Sequence, residues 1–226
     1  VVLLDLDAGE HEDEPEELWA LADVLSIACG GHAGDERSMA RVVAYCAARP
    51  RPRIGAHPSY PDREGFGRRS LAIAPHALRE AIAEQCAALA RVAAARDQRV
   101  GWIKPHGALY HDAARDPSVA AAVLLGAREA LGPDVAVIGP PAGALRDAAA
   151  QIPLAYLREG FADRATRPDG TLVPRGEPNA LITEPRLAAA RARELVASGE
   201  VEAICVHADT PGSLAIARAV REVLDG

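Results

Sequence analysis

V-G-W-I-K-P-H-G-A-L-Y, Val100 to Tyr110, decides how the chain is read. An apolar run of four residues ends on Lys104, and Pro105 and His106 follow at once. The run has the length and composition of a buried strand. Polar residues at the carboxyl end of such a strand are what a parallel β/α fold places at its functional rim. Lys104 is the single lysine beside 24 arginines. An Arg-favouring codon bias that spared one surface lysine would give the same count, but the strand-end position points to a compact ammonium with an adjustable pKa, which Arg cannot replace.

Immediately upstream, Pro75 to Asp97 carries Leu78, Ile82, Leu89 and Val92 or Ala93 on one face at helical spacing, with Pro75 placed to open the helix. Similar apolar runs recur at Val2 to Leu6, Val24 to Ala28, Arg53 to His57, Val135 to Gly139, Ala155 to Arg158 and Ala203 to Val206. They are near-continuous rather than alternating, as parallel strands covered on both faces are. Asp116-Pro117 and Thr210-Pro211 each read as a capping side chain followed by Pro at the first helical position. Strands alternating with helices predict right-handed β-α-β units and a parallel sheet. Seven strands fit a seven-stranded, imperfectly closed barrel or an open doubly wound sheet; periodicity does not choose, and the pattern favours the barrel only slightly.

The 226 residues hold no Ser/Gly linker, repeat or low-complexity tract, so residues 1–226 are expected to form a single catalytic domain. A formal charge of −7 opposes a sequence-independent grip on a phosphate backbone and argues against nucleic acid as a partner. The first ten residues carry three acids and no basic stretch, and no apolar run approaches the roughly 20 residues that span a bilayer. Neither export nor a membrane is indicated. Cys29, Cys46, Cys86 and Cys205 lie far apart with no C-x-x-C pair, which suits reduced core thiols and a cytoplasmic location. The first strand runs into Asp7-Ala8-Gly9-Glu10 rather than G-x-G-x-x-G, and the one lysine lies between Ile103 and Pro105, so no Walker A loop exists.

The polar segments that follow strands carry the chemistry. They are Asp5, Asp7 and Glu10; G-G-H-A-G-D at Gly30 to Asp35; I-G-A-H-P-S-Y-P-D-R-E-G-F-G-R-R at Ile54 to Arg69; K-P-H-G-A-L-Y; E-G-F-A-D-R at Glu159 to Arg164; and V-H-A-D-T-P at Val206 to Pro211. A solitary histidine is most often a hydrogen-bonded structural residue. Here His32, His57, His106 and His207 all stand at strand ends, the rim where distant segments of a parallel fold meet. His76 and His11 read as surface residues, and His111 stays open between the two. Arg68 and Arg69 have the fork geometry to grip a carboxylate or phosphate, or they form a solvated pair.

These motifs resemble those of the LamB/YcsF family, nearly end to end. The resemblance rests on S-I-A-C-G-G-H-A-G-D at Ser26 to Asp35, I-G-A-H-P-S-Y-P-D at Ile54 to Asp62, G-F-G-R-R at Gly65 to Arg69, K-P-H-G-A-L-Y, E-G-F-A-D-R, D-G-T-L-V-P-R at Asp169 to Arg175, and I-C-V-H-A-D-T-P at Ile204 to Pro211. It implies an α/β fold, a seven-stranded TIM-like parallel β/α barrel of the glycoside hydrolase/deacetylase type. It also implies ATP-dependent opening of 5-oxo-L-proline to L-glutamate, as the first of three components of a 5-oxoprolinase, completed by subunits B and C. ATP, with Mg²⁺, is the expected co-substrate, and no tightly bound organic cofactor is expected. The chain departs from the family pattern at Leu3-Leu4-Asp5 where D-L-N is expected, at Ser26 for Asn, at Gly31 for Phe and at Ala208 for Gly.

Within these motifs the candidate catalytic residues are Lys104, His106, His57, His32 and His207, with Lys104 supplying positive charge and the imidazoles competing for acid and base roles. The candidate substrate-binding residues are Asp7, Asp35, Asp62, Arg68, Arg69, Tyr110, Glu159, Asp163, Arg164 and Asp209. Asp7, Asp35 and Asp209 would orient imidazoles or meet the Mg²⁺ of ATP. Two other readings stay open. One is a metal-dependent amide hydrolase or deacetylase, with Asp7, His32 and His57 as candidate ligands. The other is a noncatalytic binding subunit.

Overall fold

All seven apolar runs form strands, and the strands close on themselves. The structure, a computed structural model, describes residues 1–167 and 171–226; Asp169 and Gly170 of the D-G-T-L-V-P-R stretch lie outside the described residues. In chain order the elements are β1 (Leu3–Ala8), α1 (Glu16–Trp19), β2 (Val24–Ala28), α2 (Glu36–Ala47), β3 (Arg53–His57), α3 (Pro75–Ala94), β4 (Val100–Ile103), α4 (Gly107–Arg115), α5 (Pro117–Leu131), β5 (Ala136–Gly139), α6 (Ala144–Gln151), β6 (Tyr156–Phe161), α7 (Pro185–Ser198), β7 (Ala203–Val206) and α8 (Ser213–Asp225). The strands pair in parallel in sequence order, and β7 returns to β1 with Leu3 opposite Ala203. The open sheet is thereby excluded, and the seven-stranded barrel is found with its closure complete through the β1–β7 pairing. No helix among the described residues is long and apolar enough to cross a membrane.

Inside the barrel the period of two along each strand sorts the chemistry into layers. Val24, Ile138 and Ala203 pack with Leu3, Trp102 and Leu157 as an apolar plug near the amino-terminal mouth. Two residues further along the same strands come Asp5, Ser26, Lys104, Glu159 and Cys205, and two further still come Asp7, His106, Phe161 and His207. The side chains between them, such as Leu4, Leu6, Leu25, Ile27 and Ile204, face outward into the main core beneath the helices. Strands β1 and β6 therefore run further than their apolar stretches, because Asp7 and Glu159 are strand residues whose charges are met inside the barrel rather than in a loop.

Local signals account for most helix starts. Pro75 opens α3 and Pro117 opens α5, where the Asp116 side chain accepts the Ser118 N–H. Thr210-Pro211 does not cap α8. That helix starts at Ser213 after Gly212 in the left-handed region, because the Thr210 hydroxyl is taken by Asp163 at 2.5 Å. The four cysteines are free and buried, as the sequence suggested, and burial raises the Cys29 and Cys46 thiols to about 12.

At the mouth opposite the site, Asp23 fastens the strand ends. Its carboxylate accepts the Leu4 N–H at 2.9 Å, Arg51 at 2.6 Å and Arg221 at 2.7 Å. Burial pushes its pKa up, but these donors outweigh burial and hold it below the usual carboxylate value. A depressed folded pKa contributes stability above the ordinary value of about 3.9 and loses it as pH falls through the folded one. Asp23→Ala is expected to cost about 2 kcal/mol in urea denaturation at neutral pH, chiefly by orphaning the Leu4 N–H, with a smaller cost in acid.

Candidate active site

Lys104 stands at the end of β4, 3% exposed, in a nest of acids reaching across the barrel interior from β1 and β6. Its Nζ donates to Asp5 Oδ2 and to Cys205 Sγ at 3.3 Å, and lies 2.6 Å from Asp7 Oδ1 and 3.5 Å from Glu159 Oε1. An unpaired buried ammonium would shed its proton. Here burial is overcome by Asp5 and Asp7 in turn, and the pKa stands well above the usual lysine value. Ser26 donates to the other oxygen of Asp5 at 2.8 Å, so two departures from the family pattern, at positions 5 and 26, meet in one hydrogen bond.

The acids around this cation divide. Burial pushes Asp7 up, but His57 and Lys104 more than reverse it, and Asp7 is held far below the usual carboxylate range. Glu159 is 1% exposed, neither of its carboxyl oxygens has a hydrogen-bond partner among the described residues, and it moves the other way. Burial dominates there, Lys104 opposes, Asp5 and Asp7 add repulsion, and its pKa rises to about 8. One carboxylate and one carboxylic acid thus face the same space at neutral pH, a pairing that separates base from acid.

Three imidazoles crowd beside Asp7. His57 donates from Nδ1 to the Lys104 carbonyl at 2.7 Å, which fixes its tautomer and turns Nε2 toward Asp7 Oδ1 at 3.4 Å. His106 contacts the Phe66 carbonyl through Nε2 at 3.0 Å. His32 stacks on His106 with centroids 3.6 Å apart and meets Glu10 Oε1 through Nε2 at 2.8 Å. Burial, with repulsion from His106, Lys104 and His32, keeps the His57 pKa well below its ordinary value despite Asp7. Glu10 is delivered by Glu14, whose buried carboxylate accepts the backbone N–H groups of Gly9, Glu10 and His11 and the Trp19 indole N–H.

Two glycines set the close packing here. Gly107 has φ +59°, and a Cβ on it would lie 2.5 Å from the Gly67 carbonyl oxygen, so the loop carrying Phe66 can press on the start of α4. A Cβ on Gly31 would lie 2.3 Å from Gln85 Oε1. Gln85 fills the space of the missing side chain and holds the Ser59 backbone through both its N–H and its carbonyl.

Above this floor opens a cavity of about 380 Å³ lined by Asp7, Glu10, His57, Lys104, His106, Tyr110, Glu159 and His207, with Arg68, Arg115, Arg164, Arg167, Arg175 and His111 around its sides. Of the histidines named from sequence, His57, His106 and His207 line it; His32 stands behind Glu10. Of the binding candidates, Asp7, Arg68, Tyr110, Glu159, Arg164 and Asp209 line it. Four candidates do not. Asp35 is the N-cap of α2, exchanging hydrogen bonds with Ser38, since a carboxylate preceding a helix finds its nearest donors in the first turn. Asp62 and Arg69 clamp each other bidentately at 2.7 and 3.1 Å and staple their own loop. Asp163 is fully buried beneath His207, accepting from its Nδ1 at 3.0 Å, from its backbone and from Thr210, so it orients that ring instead of touching a ligand. His11 and His76 are exposed, as read, while half-buried His111 joins the cavity wall.

Asp5 and Glu10 stand in the first polar segment but were not among the catalytic or binding candidates, and neither was Arg175. Arg175 donates to Asp209 at 2.9 Å, and Arg68 binds the same carboxylate at 2.7 Å. Acids in the middle of an apolar strand, as Asp5 is, were the available signal. Among the described residues three groups bring possible metal-ligating atoms within 4.8 Å of one another: Glu10 with His32, His57 and His106; Asp7 with Cys205 and His207; and Asp5 with Glu159 and Cys205.

Comparison with known proteins places the chain in a family. The A-type subunit of the 5-oxoprolinase of Methylococcus capsulatus (strain Bath) is 42% identical, with 96% of this chain and 90% of that protein covered. Its counterpart in Streptomyces griseus is 43% identical, over 94% and 89%. The crystal structure of the lactam utilization protein from Thermus thermophilus superposes with a TM-score of 0.90 at 32% identity, covering 99% of this chain and 96% of that one. The family model described as LamB/YcsF matches residues 7–226, and the chain belongs to the LamB/YcsF family.

Proposed function

We propose that this chain opens 5-oxo-L-proline to L-glutamate, coupled to conversion of ATP to ADP and phosphate, as the A-type subunit of a 5-oxoprolinase completed by subunits B and C. The observation that carries the reading is a neutral carboxyl, Glu159, and an ionised one, Asp7, on either side of one buried ammonium, all facing a cavity rimmed with guanidinium groups. The names of the relatives supply the lactam.

A five-membered lactam is resonance-stabilised and resists water. Transfer of the terminal phosphoryl group of ATP to the lactam oxygen breaks the bond to ADP and leaves the ring carbon electrophilic. Water adds to that carbon, giving up a proton to Asp7, the ionised carboxylate at the cavity floor. The ring C–N bond then breaks as Glu159 delivers a proton to nitrogen, leaving an acyl phosphate. A second water releases phosphate and leaves the side-chain carboxylate of glutamate. Lys104 holds Asp7 ionised and supplies positive potential beneath the developing oxyanion. Without a Walker A loop, the phosphoryl group falls to Arg68, Arg164 and Arg175, whose forks suit phosphate oxygens.

Reconstitution with the products of neighbouring genes tests this reading. Glutamate is expected to form from 5-oxoproline with ATP and not without it, in a one-to-one ratio with phosphate. Calorimetric binding of 5-oxoproline with no turnover in any assembly would favour a binding subunit, and turnover indifferent to ATP would favour a simple amide hydrolase.

A further inference from the structure

Two imidazoles in the cavity wall confront each other through the nitrogens not aimed at the backbone. His57 Nδ1 lies 2.7 Å from the Lys104 carbonyl oxygen and His106 Nε2 lies 3.0 Å from that of Phe66. A carbonyl only accepts, so in each ring the proton sits on the nitrogen aimed at the backbone. The remaining nitrogens, His57 Nε2 and His106 Nδ1, are 3.0 Å apart. In neutral rings both are lone pairs, and lone pairs at that distance repel unless an electrophile lies between them. Glu10 Oε1 completes a triangle, 3.3 Å from His106 Nδ1 and 3.9 Å from His57 Nε2. Bonds of about 2.0–2.1 Å to a tetrahedral zinc place two ligands about 3.3 Å apart, and the three edges bracket that value. A proton satisfies one edge; a divalent ion satisfies all three.

We infer that Glu10 Oε1, His57 Nε2 and His106 Nδ1 are the three protein ligands of a divalent transition-metal ion of the zinc type, with its open position toward the cavity. Each histidine donates its far N–H to a main-chain carbonyl, the support that fixes metal-ligating imidazoles. All three ligands line the cavity, whereas His32 does not. His32 instead donates to Glu10 Oε1 at 2.8 Å from a ring stacked on His106, so it positions the carboxylate. The other two groups of ligand type close on the Lys104 ammonium, which contacts Asp5, Asp7, Glu159 and Cys205 and fills the space an ion would need. The site rests on the lactam reading for its role alone, that of orienting and acidifying the attacking water.

Chelator-treated chain, with neither lactam nor nucleotide present, can be titrated with Zn²⁺ by calorimetry and with Co²⁺ by visible absorption. One ion per chain is expected, with the intense d–d bands of low-coordinate cobalt and a raised thermal midpoint. His57→Ala and His106→Ala should each weaken binding by more than about a hundredfold, beyond what loss of a supporting group does; His32→Ala should weaken it about ten- to a hundredfold. If a histidine variant fails to fold, isosteric Glu10→Gln, checked by circular dichroism, carries the same test. Wild-type chain that takes up neither ion, or uptake indifferent to these changes, overturns the site. A chain that binds the ion but never consumes 5-oxoproline fails the lactam reading alone; the reverse pattern fails the metal site alone.

Discussion

Lys104→Met is expected to lower the thermal midpoint by about 10 °C and to leave less than about one hundredth of the turnover. The fold and the chemistry share this residue. Removing the ammonium leaves Asp5, Asp7 and Glu159 crowded in a closed barrel layer with no cation among them, and breaking a buried pair from one side typically costs about 3–5 kcal/mol. Some of that loss is recovered by protonating a carboxyl, so Lys104→Met combined with Asp5→Asn should be more stable than the single variant, with a coupling of about 1–3 kcal/mol. Lys104→Arg should not restore activity. The nest is built for a point charge above an apolar plug, and a planar fork there must displace Cys205 or the plug itself. A midpoint within about 2 °C of wild type for Lys104→Met would mean that the ammonium is not paired in the barrel.

Glu159→Gln is expected to fold as well as wild type and to lose about a hundredfold to ten-thousandfold in turnover. Amide replaces a carboxyl that is already neutral at pH 7, so no charge is lost from the layer, while the proton donor disappears. Wild-type turnover should fall as pH rises through about 8, and that limb should be missing from the residual activity of the variant. Stability has a matching signature. Because the folded pKa is raised, the unfolded chain binds fewer protons than the folded one between the ordinary value near 4.5 and about 8. The contribution of Glu159 is therefore most favourable below that window and is lost as pH rises across it. Urea denaturation across the window should show a wild-type decline that is shallower in Glu159→Gln. An unchanged slope would place the carboxyl in its ordinary ionised state.

Much of this architecture was legible. The seven apolar runs, Pro75 and Pro117 at helix starts, and the lysine and histidines at strand ends all follow from local chemistry. The layering inside the barrel was also written in the sequence, as Leu3-Asp5-Asp7, Trp102-Lys104-His106, Leu157-Glu159-Phe161 and Ala203-Cys205-His207. Reading those strands as near-continuous apolar runs concealed it, because the outward residues are apolar too and the inward acids look like loop residues until a partner is known. Closure of the barrel was not legible, since the β1–β7 pairing joins residues some 200 positions apart and leaves no local trace.

The side chains placed outside the cavity fail for a common reason. Asp35, Asp62, Arg69 and Asp163 are polar residues inside motif strings, but each is satisfied by a partner close in the loop or, for Asp163, by His207 directly above it. Sequence gives residue type and position along a rim; it does not say which groups spend their hydrogen bonds on holding the rim in shape. Glu10 shows the converse. Its place depends on Glu14 gathering three backbone N–H groups, a three-dimensional event in what reads as an acidic loop.

The most direct test of the central claim, that one cavity at the barrel mouth opens a lactam between Glu159 and Asp7, is a crystal structure of the assembled enzyme with 5-oxoproline and a non-hydrolysable ATP analogue. The lactam ring is expected in the cavity, its ring nitrogen or carbonyl oxygen within about 3 Å of the Glu159 carboxyl, and the terminal phosphate among Arg68, Arg164 and Arg175. A lactam seated on another surface, with Glu159 and Asp7 untouched, would contradict it.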